Sequence, residues 1–572
     1  MKRRSTVTSL FFASVVLVFL NGLPTRVAAS PDPEQLNGSW RVTLRETDGA
    51  ELMFRMTFVL TNKQPVRWEA YSREGAARQF VGGGTALLGR LLGKMPPHEA
   101  LIYIGEGTVE QNGAVLTLKG SLESPFLGKR NFVGVIENQI MRADLMRGSP
   151  AVKAGTIEAT RDNSTDALRA YKGLAAEIEQ TIRANVFDPA VLQRREFEKF
   201  FSELSSQIAK AGDDLDVVAA FQALKPSLKI SHFDFIRNPT LASRSLDQVV
   251  SGDKDVKPDS YVRLGLSIPQ VAILRVTKWD RVSPAIDKAF EKIANANVRV
   301  LIIDIRGNPG GDATSMAPLA HLITQPITVG TFVGRKWFDS HRNLPAGEEL
   351  STLPTLGSYT QPLEMMSQLR EHGGLVGKVV PQEPHFAGTV YLLIDRASAS
   401  ASEPLAHALS TARRATLIGE RTSGKMLMAL PHALTDGWVV IVPEADFIAT
   451  DGTRFEGRGV EPQVQTSPND VYVAAADQMA SLLPYSAAMI RGQSSESLKR
   501  SEDAEKAYRT ALKVADQQQP APPPASVAFI HKRLAIILAA KGDVTGSQAA
   551  YKEVLKLVPD DAEALKALAQ RN

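Results

Sequence analysis

Between Leu392 and Leu409 the sequence reads LLIDRASASASEPLAHAL, with serines at positions 398, 400 and 402. A serine hydroxyl becomes a useful nucleophile only when a neighbouring base takes its proton, and acyl transfer also needs N–H donors for the oxyanion. The local pattern supplies part of this. VYLLID reads as a buried strand, and SEPLAHALSTARR as a helix with Glu403 and Pro404 in its first turn. The serines therefore fall on a tight strand-to-helix turn, where backbone N–H groups at the helix start face an incoming anion. Local geometry leaves two roles open for each serine, nucleophile or helix cap, and at least one is expected to cap.

The elements around this turn alternate: QVAILRV, AIDKAFEKIANA, VRVLIIDI, GTVYLLID, PLAHALSTARR and ATLIG. Fully apolar strands separated by helices predict an α/β core with buried strands over residues 258–485. Residues 165–240 carry helical spacing in ALRAYKGLAAEIEQTIRANVF and EFEKFFSELSSQIAKA, then give way to KISHFDFIRN. Residues 31–161 show short alternating segments such as SWRVTLRE and AVLTLKGSL, broken by TDGA and QNGA, and predict an all-β domain, a barrel or a sandwich. Its Gly38-Ser39-Trp40 weakly resembles the opening of lipocalin-like barrels, and ligand binding there is not expected. GRLLGKM, from Gly89, fails as a phosphate loop because Met95 stands where a hydroxyl residue is needed.

Residues 495–572 are predicted to be α-helical hairpins. LAIILAAKGDVTGSQAAYKEVLKLVPDD resembles a tetratricopeptide repeat through Leu534-Ala535, Tyr551 and Pro559, and a partial copy surrounds Tyr508. The Pro/Gln-rich QQQPAPPPAS separates the two. One or two hairpins bury little core alone, so they should dock on the body or on a protein partner.

Composition narrows the function classes. A 572-residue chain that is 44% apolar, with net charge +4, is multidomain and globular and carries no nucleic-acid signature. With no cysteine it has no disulfides, thiolate catalysis or cysteine metal sites. The histidines lack metal-ligand spacing, so neither metal nor cofactor is expected. Lys2-Arg3-Arg4, the apolar LFFASVVLVFL and Ala29 read as a signal peptide over residues 1–29. The apolar stretch falls short of the roughly twenty residues a spanning helix needs, so the mature chain is predicted to be periplasmic or secreted without a stable membrane anchor.

Four stretches in order, VRVLIIDIRGNPGGD, LIDRASASASEPLAHAL, RATLIGERTSGK and DGTRFEGRGVEPQV, resemble the core of the C-terminal processing (tail-specific) serine peptidases. That group also includes the tricorn core and retinoid-binding-protein-like modules. The resemblance implies that Ser400 is the nucleophile, because the family places it 25 residues before a catalytic lysine and Lys425 stands there. Lysine can act as base when burial lowers its pKa from about 10.4, and the following MLMALP is apolar enough to provide that. The N–H of Ala401 is expected in the oxyanion hole, joined by resemblance by Gly310 with Gly311 beside it.

Two departures stand out. The family commonly has glutamine four residues after the lysine, where this chain has Ala429. Only 22 residues separate SHFDFIRNP from VRLGLSIP, too few for the PDZ module of tail-specific members, so tail specificity is not carried over. Ser231-His232 also resembles the Ser-His of the tricorn branch, with Glu456 as its acidic orienter, so His232 is a second candidate base. His407 is expected to be a core or surface histidine. The resemblance thus implies an exported serine endopeptidase acting on polypeptides. The rival reading is a non-catalytic protein- or ligand-binding scaffold derived from a peptidase.

Overall fold

In the N-terminal unit, strands whose apolar residues alternate with polar ones close into a sheet without edges. The computed structural model describes residues 38–569, apart from 62–65, 73–99, 113–114, 125–127, 149–150, 165, 246–247, 250–256, 358–359 and 361. The signal-peptide stretch and GRLLGKM both lie outside the described residues. The chain divides into two units, residues 38–47 with 52–168, and residues 48–51 with 169–569.

The first unit is a closed antiparallel barrel of β1 (Gly38–Glu46), β2 (Glu51–Thr61), β3 (Val66–Ser72), β4 (Ala100–Asn112), β5 (Val115–Ser124), β6 (Gly128–Glu137), β7 (Ile140–Arg147) and β8 (Val152–Arg161). Alternation places Trp40, Val42 and Leu44 of β1 and Met141, Ala143 and Leu145 of β7 in the buried set. Trp40 pairs with Arg161 across the β1–β8 seam, and the guanidinium lies 4.4 Å over the indole ring. Trp40, Leu44, Leu116, Leu118 and Leu145 are each at most 2% exposed, so side chains fill the lumen at their levels.

The second unit opens with helices α1 (Leu174–Asn185), α2 (Arg195–Ile208) and α3 (Asp214–Leu224). The apolar stripe of α2, which includes Phe200 and Phe201, meets Phe221 and Phe233, and Phe235 stacks on Trp438 at 4.8 Å. That aromatic row anchors the short β9 (Asp234–Arg237), immediately after Ser231-His232.

Two sheets follow. One has the order β10 (Val262–Ile268), β11 (Val271–Val276), β12 (Val300–Asp304), β16 (Thr389–Ile394), β17 (Thr416–Gly419) and β20 (Val464–Gln465), parallel throughout except at β10. The other runs β14 (Thr355–Leu356), β15 (Gly374–Val379), β13 (Ile327–Gly334), β19 (Trp438–Ala449) and β18 (Met428–Ala433), with β9 also paired to β19.

All five residues of β12 are buried because both faces of its sheet are covered. Leu301 and Ile303 join one core with helix α4 (Ser283–Ala294) and helix α5 (Ser402–Thr411). Val300 and Ile302 join another with helices α6 (Val471–Met479), α7 (Pro484–Ser497), α8 (Ser501–Lys513) and α9 (Pro524–Ala540). Helices α10 (Val544–Leu557) and α11 (Ala562–Ala569) continue that helical stack. The C-terminal hairpins thus share a core with the sheet through Tyr508, Ile530 and Leu534. Among the described residues no helix is long and apolar enough to cross a membrane.

Candidate active site

The turn between β16 and α5 is built by Asp395, whose Oδ1 accepts the N–H groups of Gly307, Ala397 and Ser398 at 2.9–3.0 Å. It separates the three serines by environment. Ser398 and Ser402 are fully buried. The Ser398 hydroxyl donates to the carbonyl of Ile305 at 2.9 Å, and the Ser402 hydroxyl accepts from the Trp279 indole at 2.8 Å. Ser400 is only partly buried, has φ +54°, and its Oγ has no hydrogen-bond partner among the described residues. The expected serine cap does not form. Ala401 occupies the cap position with no side-chain acceptor, because the hydroxyls of Ser398 and Ser402 are drawn to partners elsewhere in the fold.

The glycine turn after β12 packs directly against this serine. A Cβ on Gly310 (φ +102°) would lie 2.5 Å from the Cβ of Ser400, and one on Gly311 (φ +144°) 1.6 Å from the carbonyl oxygen of Trp279. Only glycine fits either position. The Gly310 N–H donates to Asn308 Oδ1 at 2.9 Å, so it is already engaged, contrary to its expected place in an oxyanion hole. The N–H groups of Ala401 and Gly311 have no acceptor among the described residues, and both residues line the same cavity as Ser400.

That cavity has a volume of about 310 Å³. Its walls are mainly apolar, with Met316, Met365, Met366, Met426 and Met428 contributing flexible thioethers beside Phe332 and Phe447. Ala429, on β18, faces it as well.

The second half of the site is held by carboxylates. Glu456 accepts from the Ser231 N–H (Oε1, 2.7 Å), the Ser231 hydroxyl (Oε2, 2.7 Å) and the Met426 N–H (Oε2, 3.0 Å). Ser231 Oγ also lies 2.8 Å from His232 Nδ1. An ionised carboxylate only accepts, so the hydroxyl donates to Glu456 and receives the proton on Nδ1. This fixes the tautomer that leaves Nε2 unprotonated. Burial lowers the His232 pKa; Glu456 opposes this and the charge of Lys425 adds to it.

Lys425 departs from expectation. Its backbone is tied to the nucleophile, since its carbonyl accepts from the Ser400 N–H at 2.9 Å, but its side chain is exposed and makes no hydrogen bond or ion pair among the described residues. The apolar MLMALP does not bury Lys425: Met426, Met428, Ala429, Leu430 and Pro431 line the cavity while the Lys425 side chain is exposed. His407 does not join the site: it pairs with Asp451 at 3.2 Å and packs on Phe455.

Sequence reasoning missed Glu403 as a functional residue. It is completely buried in the first turn of α5. Its Oε1 accepts from the Thr422 hydroxyl (2.6 Å) and the Gly424 N–H (2.8 Å), and its Oε2 from the Lys425 N–H (2.9 Å) and the Ser400 N–H (3.2 Å). Its pKa is raised from the ordinary carboxylate value: burial pushes it up by more than the four donors pull it down. The sole sequence signal was an acidic residue three places after Ser400.

Residues 270–466 match the model of Peptidase family S41. The chain is 26% identical over 268 residues to Carboxyl-terminal-processing peptidase 3, chloroplastic, of Arabidopsis thaliana, covering 44% of each. It is 23% identical over 379 residues to the carboxy-terminal processing protease CtpB of Bacillus subtilis, covering 66% of this chain and 62% of that one. The chain therefore spans less than two thirds of the length of these relatives. Among solved structures, the photosystem II D1 C-terminal processing protease aligns at 16% identity with a TM-score of 0.33, over 53% of this chain and 94% of that one. The segment that carries Ser400, Lys425 and Glu456 is thus similar to the S41 family of serine-type peptidases.

Proposed function

We propose that the chain is an exported serine endopeptidase that cleaves polypeptides through an acyl-enzyme on Ser400, with His232 as general base. One observation carries the reading. Ser400, in a left-handed turn with a free hydroxyl, lies beside two unengaged N–H groups at the mouth of an apolar cavity.

In this mechanism His232 Nε2 removes the Ser400 proton as Oγ attacks the scissile carbonyl, and the resulting imidazolium is stabilised through Ser231 by Glu456. The oxyanion takes the N–H groups of Ala401 and Gly311, while Gly310 permits their close approach. The imidazolium returns its proton to the leaving amine, and water, activated by the same base, releases the acyl group. An apolar substrate side chain fills the methionine-lined cavity. The exposed Lys425 biases His232 toward its neutral form instead of serving as the base; the spacing that favoured Lys425 does not supply the desolvation it would need.

The C-terminal helices are read as tetratricopeptide-like hairpins that hold or present protein. Support comes from the cluster of Ala528, Ala535, Ala550, Tyr551, Val554 and Ala564, where small residues let helices close on one another. Export rests on the sequence of residues 1–29.

The test is casein cleavage by the mature chain. Ser400→Ala is expected to abolish it, His232→Ala to fall about as far, and Lys425→Ala to retain most of it. Absence of cleavage with casein and with peptide libraries would replace this reading with the non-catalytic scaffold.

A further inference from the structure

The geometry points to Glu403 as the positioning residue of the site: we propose that its buried carboxylate, kept anionic, clamps the Ser400 turn to the 422–425 segment and thereby sets the direction of the nucleophile and of the Ala401 N–H. The inference rests on the serine-peptidase reading but assigns a role that the nucleophile, base and oxyanion donors leave unfilled.

Four donors converge on one side chain, three peptide N–H groups and one hydroxyl. Two belong to residues bracketing the chemistry, Ser400 and Lys425, and the other two to Thr422 and Gly424. All four are in position to donate, so both carboxylate oxygens must accept. A protonated carboxyl would set its own O–H against a donor. Among the described residues no lysine, arginine or histidine forms an ion pair with Glu403, so the charge is held by these bonds and by the start of α5. Burying an anion in this manner is costly unless its partners are complete. Thr422 extends the clamp: its hydroxyl also accepts from the Val460 N–H at 2.7 Å, and the Gly457 N–H donates to the Gly424 carbonyl at 2.8 Å. The segment carrying Glu456 is thereby tied to the same clamp. Glu403 does not itself line the cavity and makes no bond to the Ser400 hydroxyl; its contact with the nucleophile is through the Ser400 N–H, so it acts through the backbone it holds.

Glutamine at this position keeps the shape but places an NH₂ where two donors converge. In one orientation it opposes the Gly424 N–H, in the other the N–H groups of Ser400 and Lys425. Glu403→Gln is therefore expected to fold, with kcat lowered about 10²-fold, the cost of a misplacement of roughly 1 Å, and KM nearly unchanged because the cavity is intact. Thr422→Val removes one donor to Glu403 and the acceptor of the Val460 N–H but leaves the three peptide donors in place, and should cost less, also in kcat. Amide hydrogen exchange by mass spectrometry should show faster exchange in Glu403→Gln over residues 399–403 and 422–426, with the barrel and the C-terminal helices unaffected. This readout holds even if the wild-type chain cleaves nothing, which would defeat the peptidase reading alone. A folded Glu403→Gln variant with kcat within threefold of wild type, or with unchanged exchange in both segments, would overturn the proposal. So would a loss of activity explained wholly by a smaller folded fraction.

Discussion

His232 and Lys425 make opposite predictions for the pH dependence of cleavage. A general base must be unprotonated, and burial has moved the His232 pKa down from 6.5, so the acid limb of kcat/KM should lie below pH 6.5. Removing the Lys425 charge should raise that limb, because this cation is one of the two influences that depress the imidazole. The pH–rate profile of Lys425→Met is therefore expected to shift toward higher pH with most of the maximal rate retained. A loss as deep as that of Ser400→Ala would return the base role to the lysine. The choice among Ser398, Ser400 and Ser402 was open in the local sequence because each could cap a helix. It is physically distinct in the fold, where the outer two are captured by a carbonyl and an indole 93 and 123 residues away in sequence. Those distant partners are also why the expected serine cap was wrong.

At the scale of elements, the turn after β12 and the turn after β16 are packed closely enough that a single methyl group decides the outcome. Gly310→Ala would place a Cβ 2.5 Å from that of Ser400 and 2.9 Å from the Ala399 carbonyl, so the nucleophile turn must shift. Activity is expected to fall at least about 10²-fold while far-UV circular dichroism is preserved. Gly173→Ala is the matching control: it also carries a positive φ, +91°, but its added methyl meets nothing within 4 Å, so it should cost stability without changing kcat. A rate loss in the control equal to that of Gly310→Ala would refute the steric account. The strands themselves were legible from sequence, since VLII of β12 and VYLLI of β16 are uninterrupted apolar runs of the kind a sheet covered on both faces buries. The closeness of the two turns was not, because it depends on β12 and β16 being parallel neighbours.

At the scale of the molecule, the C-terminal helices are part of the fold that supports the site. Tyr508 is fully buried in the cluster that covers Val300, Ile302, Tyr391 and Leu393, and its hydroxyl donates to Glu496 at 2.8 Å. Tyr508→Ala is expected to destabilise the whole second unit by about 3–5 kcal/mol, the range for truncating a buried aromatic. Thermal unfolding followed together with cleavage should show both lost in one transition. Separate transitions for the helices and for activity would mean that the helices fold as an independent appendage.

The sequence by itself determined which chemistry was available and where its parts lay along the chain. Absent cysteine removed thiolate chemistry, a strand-to-helix serine turn offered a nucleophile, glycines marked the close approach, and alternating or fully apolar strands gave an all-β unit before an α/β one. These properties depend on residue type and short-range periodicity, which are local. Tertiary structure decided the rest: Ser400 as the one serine of the turn whose hydroxyl has no partner among the described residues, Gly311 rather than Gly310 as the neighbouring glycine with an open N–H, the exposure of Lys425, and the four donors gathered on Glu403. Each depends on desolvation and on hydrogen bonds between segments far apart in the chain, and neither is fixed until the sheets have formed.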